Sequence, residues 1–241
     1  MTVIAIIQAR MGSTRLPGKI LKEVNGKPLL LHQINRLKHS KLIDQLVIAT
    51  TIEKQDDLIE DFCKKYNVSF FRGSENDVLA RYYEASEQFG GDVIVRLTSD
   101  CPIIDPDIVD KTIQYYLENQ FNYVSNTIER TYPRGLDTEV FSKKTLDVAY
   151  HEATLPRDRE HVTAYIYTHP EQFSVGSFKE NVDYSKYRWT VDTKEDLQLV
   201  QNILKRFNGR EDDFTFEEAI LLMKENPKWF EINSHIEQKK I

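Results

Sequence analysis

The chain of 241 residues has only two cysteines, Cys63 and Cys101, far apart and without metal-type spacing. That scarcity argues against a disulfide framework or a zinc site and for reduced thiols, as in the cytoplasm. No apolar run approaches the ~18 residues that a membrane-spanning helix needs. The short apolar start, residues 1–7, lacks the basic region of a signal peptide. A cytoplasmic protein without a membrane partner is therefore expected. Positive charge is also in deficit: 32 Lys and Arg face 38 Asp and Glu, for a formal charge of −6. Such a balance gives no general nucleic-acid surface, so an anionic ligand would need a local basic pocket. Repeats, low-complexity tracts and evident linkers are missing too. What remains is ordinary globular composition, 40% apolar and 29% charged. A single domain over residues 1–241 is expected.

The first half alternates two periodicities. Residues 3–7 (VIAII) form a continuous apolar run, the pattern of a strand buried on both faces. Further strands are expected at 45–50, 68–71 and 92–97. Helical spacing covers 28–39, 55–66 and 77–89. In the second of these, Leu58, Ile59, Phe62 and Cys63 share a face. Gly90 and Gly91 stop the third helix, and Asp105 with Pro106 opens the next. Alternation of this kind predicts an α/β three-layer sandwich with a mostly parallel sheet. Ligands of such sheets sit beyond the carboxyl ends of the strands. The loops 8–18 and 98–104 should therefore share one edge. In the second half, residues 123–141 read as extended structure with a Pro-Arg-Gly turn, giving a small projecting hairpin. A helix is expected at 155–168, strands at 173–178 and 187–191, and closing helices at 194–207 and 214–224. Residues 233–241 are polar and should fray.

Five segments could carry chemistry. In QARMGSTRLPGK (8–19), two glycines let the backbone approach a ligand, and Arg10, Arg15 and Lys19 add three cations. Forked arginines and a point-charge lysine suit phosphate. The loop is not a Walker motif, because Ile20 follows Lys19 where Ser or Thr is required. In RLTSDCPII (96–104), Asp100 follows a strand and could hold Mg²⁺; an Asp turn or cap explains it equally well. In RWTVDTKED (188–196), Thr193 and Asp196 form a capping-box pattern that leaves Asp192 as a second metal carboxylate. In PRGLDTE (133–139), Arg134, Asp137 and Glu139 could meet sugar hydroxyls or lie on a solvated hairpin. In RDREH (157–161), a solvated helix face competes with Arg159 and His161 turning inward.

With these residues in view, the chain resembles the sugar cytidylyltransferases, and within them the spore coat polysaccharide biosynthesis protein F group. The likeness runs over nearly the whole chain and is most specific in residues 7–19 and the NGKP of 25–28. It implies a nucleotide-diphospho-sugar transferase (GT-A-like) fold, with a nucleotide-binding half (1–120) and an acceptor-sugar and dimerisation half (121–241). It also implies transfer of CMP from CTP to a small acidic, nonulosonic-type sugar, with Mg²⁺ as cofactor and a homodimer as assembly. Phosphate-binding roles fall on Arg10, Arg15 and Lys19, and Gln8 and Ala9 line the base. Gly12 and Ser13 belong to the same loop. RGSENDVLAR (72–81) implicates Gly73, Ser74, Asp77 and Arg81. Asp100 and Asp192 match the metal carboxylates. Arg10, Lys19 and Asp100 would then be catalytic, and Arg134, Asp137, Glu139, Arg159 and His161 would orient the sugar. Two positions depart from the family pattern: Gln8 stands where many relatives have Pro, and Thr98 where many have Gln. A glycosyltransferase consuming a nucleotide sugar and a silent nucleotide-binding subunit are the alternative readings.

Overall fold

The computed structural model describes residues 1–238. The opening apolar run becomes β1 (Val3–Gln8), buried up to its last residue. Next come a hairpin of β2 (Glu23–Val24) and β3 (Lys27–Pro28), then α1 (Leu29–Leu37) and β4 (Gln45–Thr51). They are followed by α2 (Asp57–Tyr66), β5 (Ser69–Gly73), α3 (Val78–Phe89), β6 (Val93–Thr98) and α4 (Pro106–Glu118). The second half supplies β7 (Tyr123–Ser125), β8 (Glu139–Ser142), α5 (Lys143–Glu152), α6 (Pro156–Glu160) and α7 (Ala164–Thr168). It closes with β9 (Val175–Ser177), α8 (Lys194–Arg206), α9 (Phe216–Glu225) and α10 (Lys228–Asn233).

Seven strands form one sheet in the order β5-β4-β1-β6-β8-β7-β9. Only β8 runs against its neighbours; the other pairings, β1 with β4 and β6, β4 with β5, and β7 with β9, are parallel. Because side chains alternate along a strand, β1 feeds two cores. Val3, Ala5 and Ile7 meet α1, α2 and α4, while Ile4 and Ile6 meet α3, α5 and α7. Helices on both faces complete the expected three-layer α/β sandwich. A third cluster gathers α8, α9 and α10 around buried Trp189.

Local chemistry fixes the ends of these elements. The Asp105 side chain accepts from Ile108 N and Pro106 takes the first turn of α4. Thr193 and Asp196 form the reciprocal box at the start of α8. The β2–β3 hairpin was not anticipated, although its signal was present. Asn25 and Gly26 have φ of 50° and 73°, the pair of positive values that a tight type I′ turn demands.

Several expectations need correction. The helix expected at 155–168 is broken into α6 and α7 by Val162, buried at φ 55°, where a β-branched residue is strained. Leu58 points to solvent, and α2 buries Ile59, Phe62 and Cys63 instead. Residues 187–191 form no strand; Arg188 makes only an isolated bridge to Arg134. The projecting hairpin is absent among the described residues, because β7 and β8 pair inside the main sheet. Of the tail expected to fray, 239–241 lie outside the described residues. Asn233 is buried, donating to Arg188 O at 2.8 Å and Asp196 Oδ1 at 2.9 Å.

The Arg134–Arg188 junction depends on Gly135. Its φ is +104°, and a Cβ there would lie 2.6 Å from both Thr190 N and the Trp189 carbonyl carbon. Gly135→Ala should therefore cost at least about 2 kcal/mol, read as a lower midpoint in urea unfolding. A midpoint equal to wild type would contradict the close approach.

Candidate active site

The two loops singled out in the sequence meet because β1 and β6 are neighbours in register, Gln8 opposite Thr98. The basic loop leaves β1 and is pinned by Met11 N donating to Asp56 Oδ1 at 2.7 Å. Gly18 N returns to Met11 O at 3.2 Å. Gly18 then takes φ 65° and starts a 3-10 turn, Lys19–Leu21, that carries Lys19 back toward the sheet edge.

There the Lys19 ammonium sits 3.0 Å from Asp100 Oδ2 and 2.7 Å from Asp192 Oδ1. The two carboxylates come from distant segments stitched together by Val191 N donating to Asp100 O at 2.8 Å. Arg15 and Arg188 approach the other oxygen of Asp192 at 2.9 and 2.7 Å. Arg188 is held in turn by Asp196 at 2.9 Å and by Gln238 at 2.6 Å. Burial works against the charge on Lys19, but Asp100 and Asp192 outweigh it and raise its pKa. Burial likewise pushes Asp100 up, yet Lys19 and a hydrogen bond from Thr98 hold its carboxyl below the usual range. Both groups are therefore charged at neutral pH.

These residues border a cavity of about 450 Å³. Twelve of the candidates line it: Gln8, Ala9, Arg10, Gly12, Ser13, Arg15, Lys19, Arg81, Thr98, Asp100, His161 and Asp192. Thr14, Glu75, Asn76, Val78, Arg96, Ser99 and Glu160 join them unforeseen. For Arg96 a signal existed: a charged residue inside an apolar strand needs a buried partner. All seven lay within segments already singled out, though not themselves named as site residues.

Seven candidates do not line the cavity, and each has a structural reason. Gly73 ends β5 against Phe71 and Arg81. Ser74 accepts from Asp77 N at 3.1 Å and, through its carbonyl, from Arg81 at 2.9 Å. Asp77 caps α3 and receives Arg159 at 2.5–3.0 Å, which engages both side chains with each other. Asp137 is held bidentately by Arg130 at 2.6 and 2.8 Å. Glu139 is buried and receives Arg96, Thr163 and, at 2.8 Å, the Tyr123 hydroxyl. Its oxygens are committed inside the protein rather than offered to a sugar. Arg134 is half-buried, and burial followed by Arg130 lowers its pKa. Its backbone is spent on Tyr187 and Trp189.

Among the described residues no group of three or more His, Cys, Asp or Glu is placed to hold a metal ion. Asp100 and Asp192 form a pair, and their oxygens converge on one point, the Lys19 ammonium. A hard dication such as Mg²⁺ is satisfied by one or two carboxylates when phosphate oxygens complete its shell. The pair fits that requirement.

A mostly parallel sheet with a basic loop and paired carboxylates at its carboxyl edge defines the class of α/β nucleotidyltransferases. The sequence profile described as Cytidylyltransferase matches residues 4–240. This chain belongs to the cytidylyltransferase family. It is 36% identical over 234 residues to the spore coat polysaccharide biosynthesis protein SpsF of Bacillus subtilis, covering 93% of this chain and 95% of the relative. An uncharacterised protein of Methanocaldococcus jannaschii is 40% identical over 242 residues, covering 99% and 97%. The solved structure of a cytidylyltransferase from Leptospira borgpetersenii superposes with a TM-score of 0.91 at 38% identity, covering 100% of both chains.

Proposed function

We propose that this chain transfers CMP from CTP to an acidic sugar of the nonulosonic type, releasing pyrophosphate, for surface polysaccharide synthesis in the cytoplasm. The observation that carries the reading is the Lys19 ammonium held between Asp100 and Asp192 at the mouth of a basic, glycine-bearing loop. A sugar hydroxyl oxygen attacks the α-phosphorus and gives up its proton to solvent; the new P–O bond forms as the bond to pyrophosphate breaks. Catalysis is then mainly alignment and neutralisation of charge. Arg10, Arg15 and Lys19 bind the triphosphate, and backbone N–H groups near Gly12 and Ser13 add donors. Mg²⁺ held by Asp100 and Asp192 would supply Lewis-acid neutralisation of the phosphate oxygens. His161 and Glu160, which also line the cavity, would face the acceptor. Glu139, buried beneath Arg96, supports the acceptor side from below, and Asp137, paired with Arg130, lies nearer the surface.

The test is a thermal-shift screen of the four ribonucleoside triphosphates with and without Mg²⁺, followed by pyrophosphate release with CTP and nonulosonic acids. A selective rise with CTP and Mg²⁺ is expected, growing with the logarithm of ligand concentration above Kd. Transfer from a preformed UDP- or GDP-sugar without CTP turnover would overturn the reading. So would tight CTP binding without pyrophosphate release for any acid tried.

A further inference from the structure

We infer that Arg188 is a positioning residue for Asp192: it holds one oxygen of that carboxylate, so that the other is presented to the bound triphosphate and its Mg²⁺. The inference rests on the nucleotide and metal readings above.

Arg188 is not among the residues that line the cavity, and its side chain is spent inside the protein. Nε donates to Asp196 Oδ1 at 2.9 Å and Nη1 to Gln238 Oε1 at 2.6 Å. Nη2 donates to Asp192 Oδ2 at 2.7 Å and to Asp196 Oδ2 at 3.2 Å. Buried and so committed, it cannot reach a ligand without breaking these bonds. What it can do is set the orientation of Asp192. The two oxygens of that carboxylate have different neighbours. Oδ2 faces Arg188 and Arg15. Oδ1 faces the Lys19 ammonium at 2.7 Å, the same group that Asp100 Oδ2 meets at 3.0 Å. On the proposed function Arg15 turns to the phosphates, and Arg188 alone then keeps Oδ2.

Arg188 is itself fixed from behind. Asp196 is fully buried and completes the capping box of α8. Its Oδ2 also accepts from Asp192 N at 3.0 Å. One carboxylate therefore holds Asp192 at both ends, the main chain directly and the side chain through Arg188. Asn233 on α10 donates to Asp196 Oδ1 at 2.9 Å and to Arg188 O at 2.8 Å. A chain of contacts thus runs from the last helix to the site. Mg²⁺ demands near-ideal octahedral geometry, so a carboxylate free to swing serves it poorly. Mutating a partner that orients a ligating side chain typically costs about 10–100-fold in metal affinity.

Calorimetric titration of the full chain with CTP, in Mg²⁺ and again in EDTA, gives the gain in affinity that the metal brings, without an acceptor sugar. Arg188→Lys keeps the charge but has no fork to span Asp192 and Asp196. It should lose about tenfold or more of that gain, while its affinity in EDTA stays within about threefold of wild type. Asn233→Ala changes no charge and should reduce the gain by a smaller factor; it supplies the reading if Arg188→Lys does not fold. A merely structural role would lower affinity in both buffers alike. That result, or an unchanged gain in Arg188→Lys, overturns the inference and leaves the nucleotide reading standing. Equal affinity of wild type for CTP in Mg²⁺ and in EDTA overturns the metal reading and this inference with it. Failure of wild type to bind CTP at all overturns the proposed function.

Discussion

Lys19→Met should lower CTP turnover by about 10²–10³-fold, the usual scale for removing a charge that stabilises a transition state. Methionine keeps the length and apolar stem of the lysine, so the effect reports the ammonium. Two losses combine. The triphosphate loses a cation, which raises KM for CTP. Asp100 and Asp192 also lose the cation that lies 3.0 and 2.7 Å from them, which removes the contact that holds the two carboxylates together. Lys19→Arg retains charge but not its point geometry, and should recover only part of the rate. Initial rates of pyrophosphate release across CTP concentrations separate the two losses. Turnover within threefold of wild type would remove Lys19 from the chemistry.

Arg36→Leu should destabilise the fold by about 3–5 kcal/mol, as expected when one member of a buried polar network is deleted. Arg36 is fully buried on α1. It donates to Ile104 O at 2.6 Å, Glu211 O at 3.0 Å and Phe214 O at 2.7 Å, with Phe214 stacked 3.9 Å away. These bonds tie α1 to the loop before α4 and to the segment leading into α9. Leucine fills part of the volume and leaves three carbonyls without donors. Burial raises the Asp105 carboxyl, and Arg36 is a cation that counters this; its removal strengthens the rise. Lysine cannot fork to three acceptors, so Arg36→Lys should recover little. Urea unfolding at pH 7 measures the difference, and a loss below 1 kcal/mol would refute it.

The parallel half of the sheet was legible because buried strands are written as unbroken apolar runs, and VIAII at the start of β1 is one. The caps at Asp105 and Thr193 were legible because each is a local hydrogen bond between residues three apart. Legibility faded where long-range contacts decide. Arg36 and Glu139 look like surface charges in any short window, yet each is consumed by partners from distant segments. Tyr187 and Trp189 alternate like a strand, but they pack into the third core instead. Val162 offers no warning of its positive φ, since the surrounding packing imposes it. At the site, the residues carried by β1, its loop and β6 were readable from motif and strand polarity. Glu139 opens β8 and is taken by Arg96, while Asp137 lies before the strand and is taken by Arg130, partners that local spacing does not show.

Asp192 lies against Arg15, Lys19 and Arg188 at once, so before any ligand arrives the basic groups are already answered by carboxylates of the protein itself. Entry of a polyanion is therefore an exchange of partners, not a simple addition. On the proposed function, phosphates would exchange with these contacts, so net affinity would measure the difference between two sets of ion pairs. A short anion such as free phosphate gains little from that trade. A longer one, able to reach several cations together, completes it.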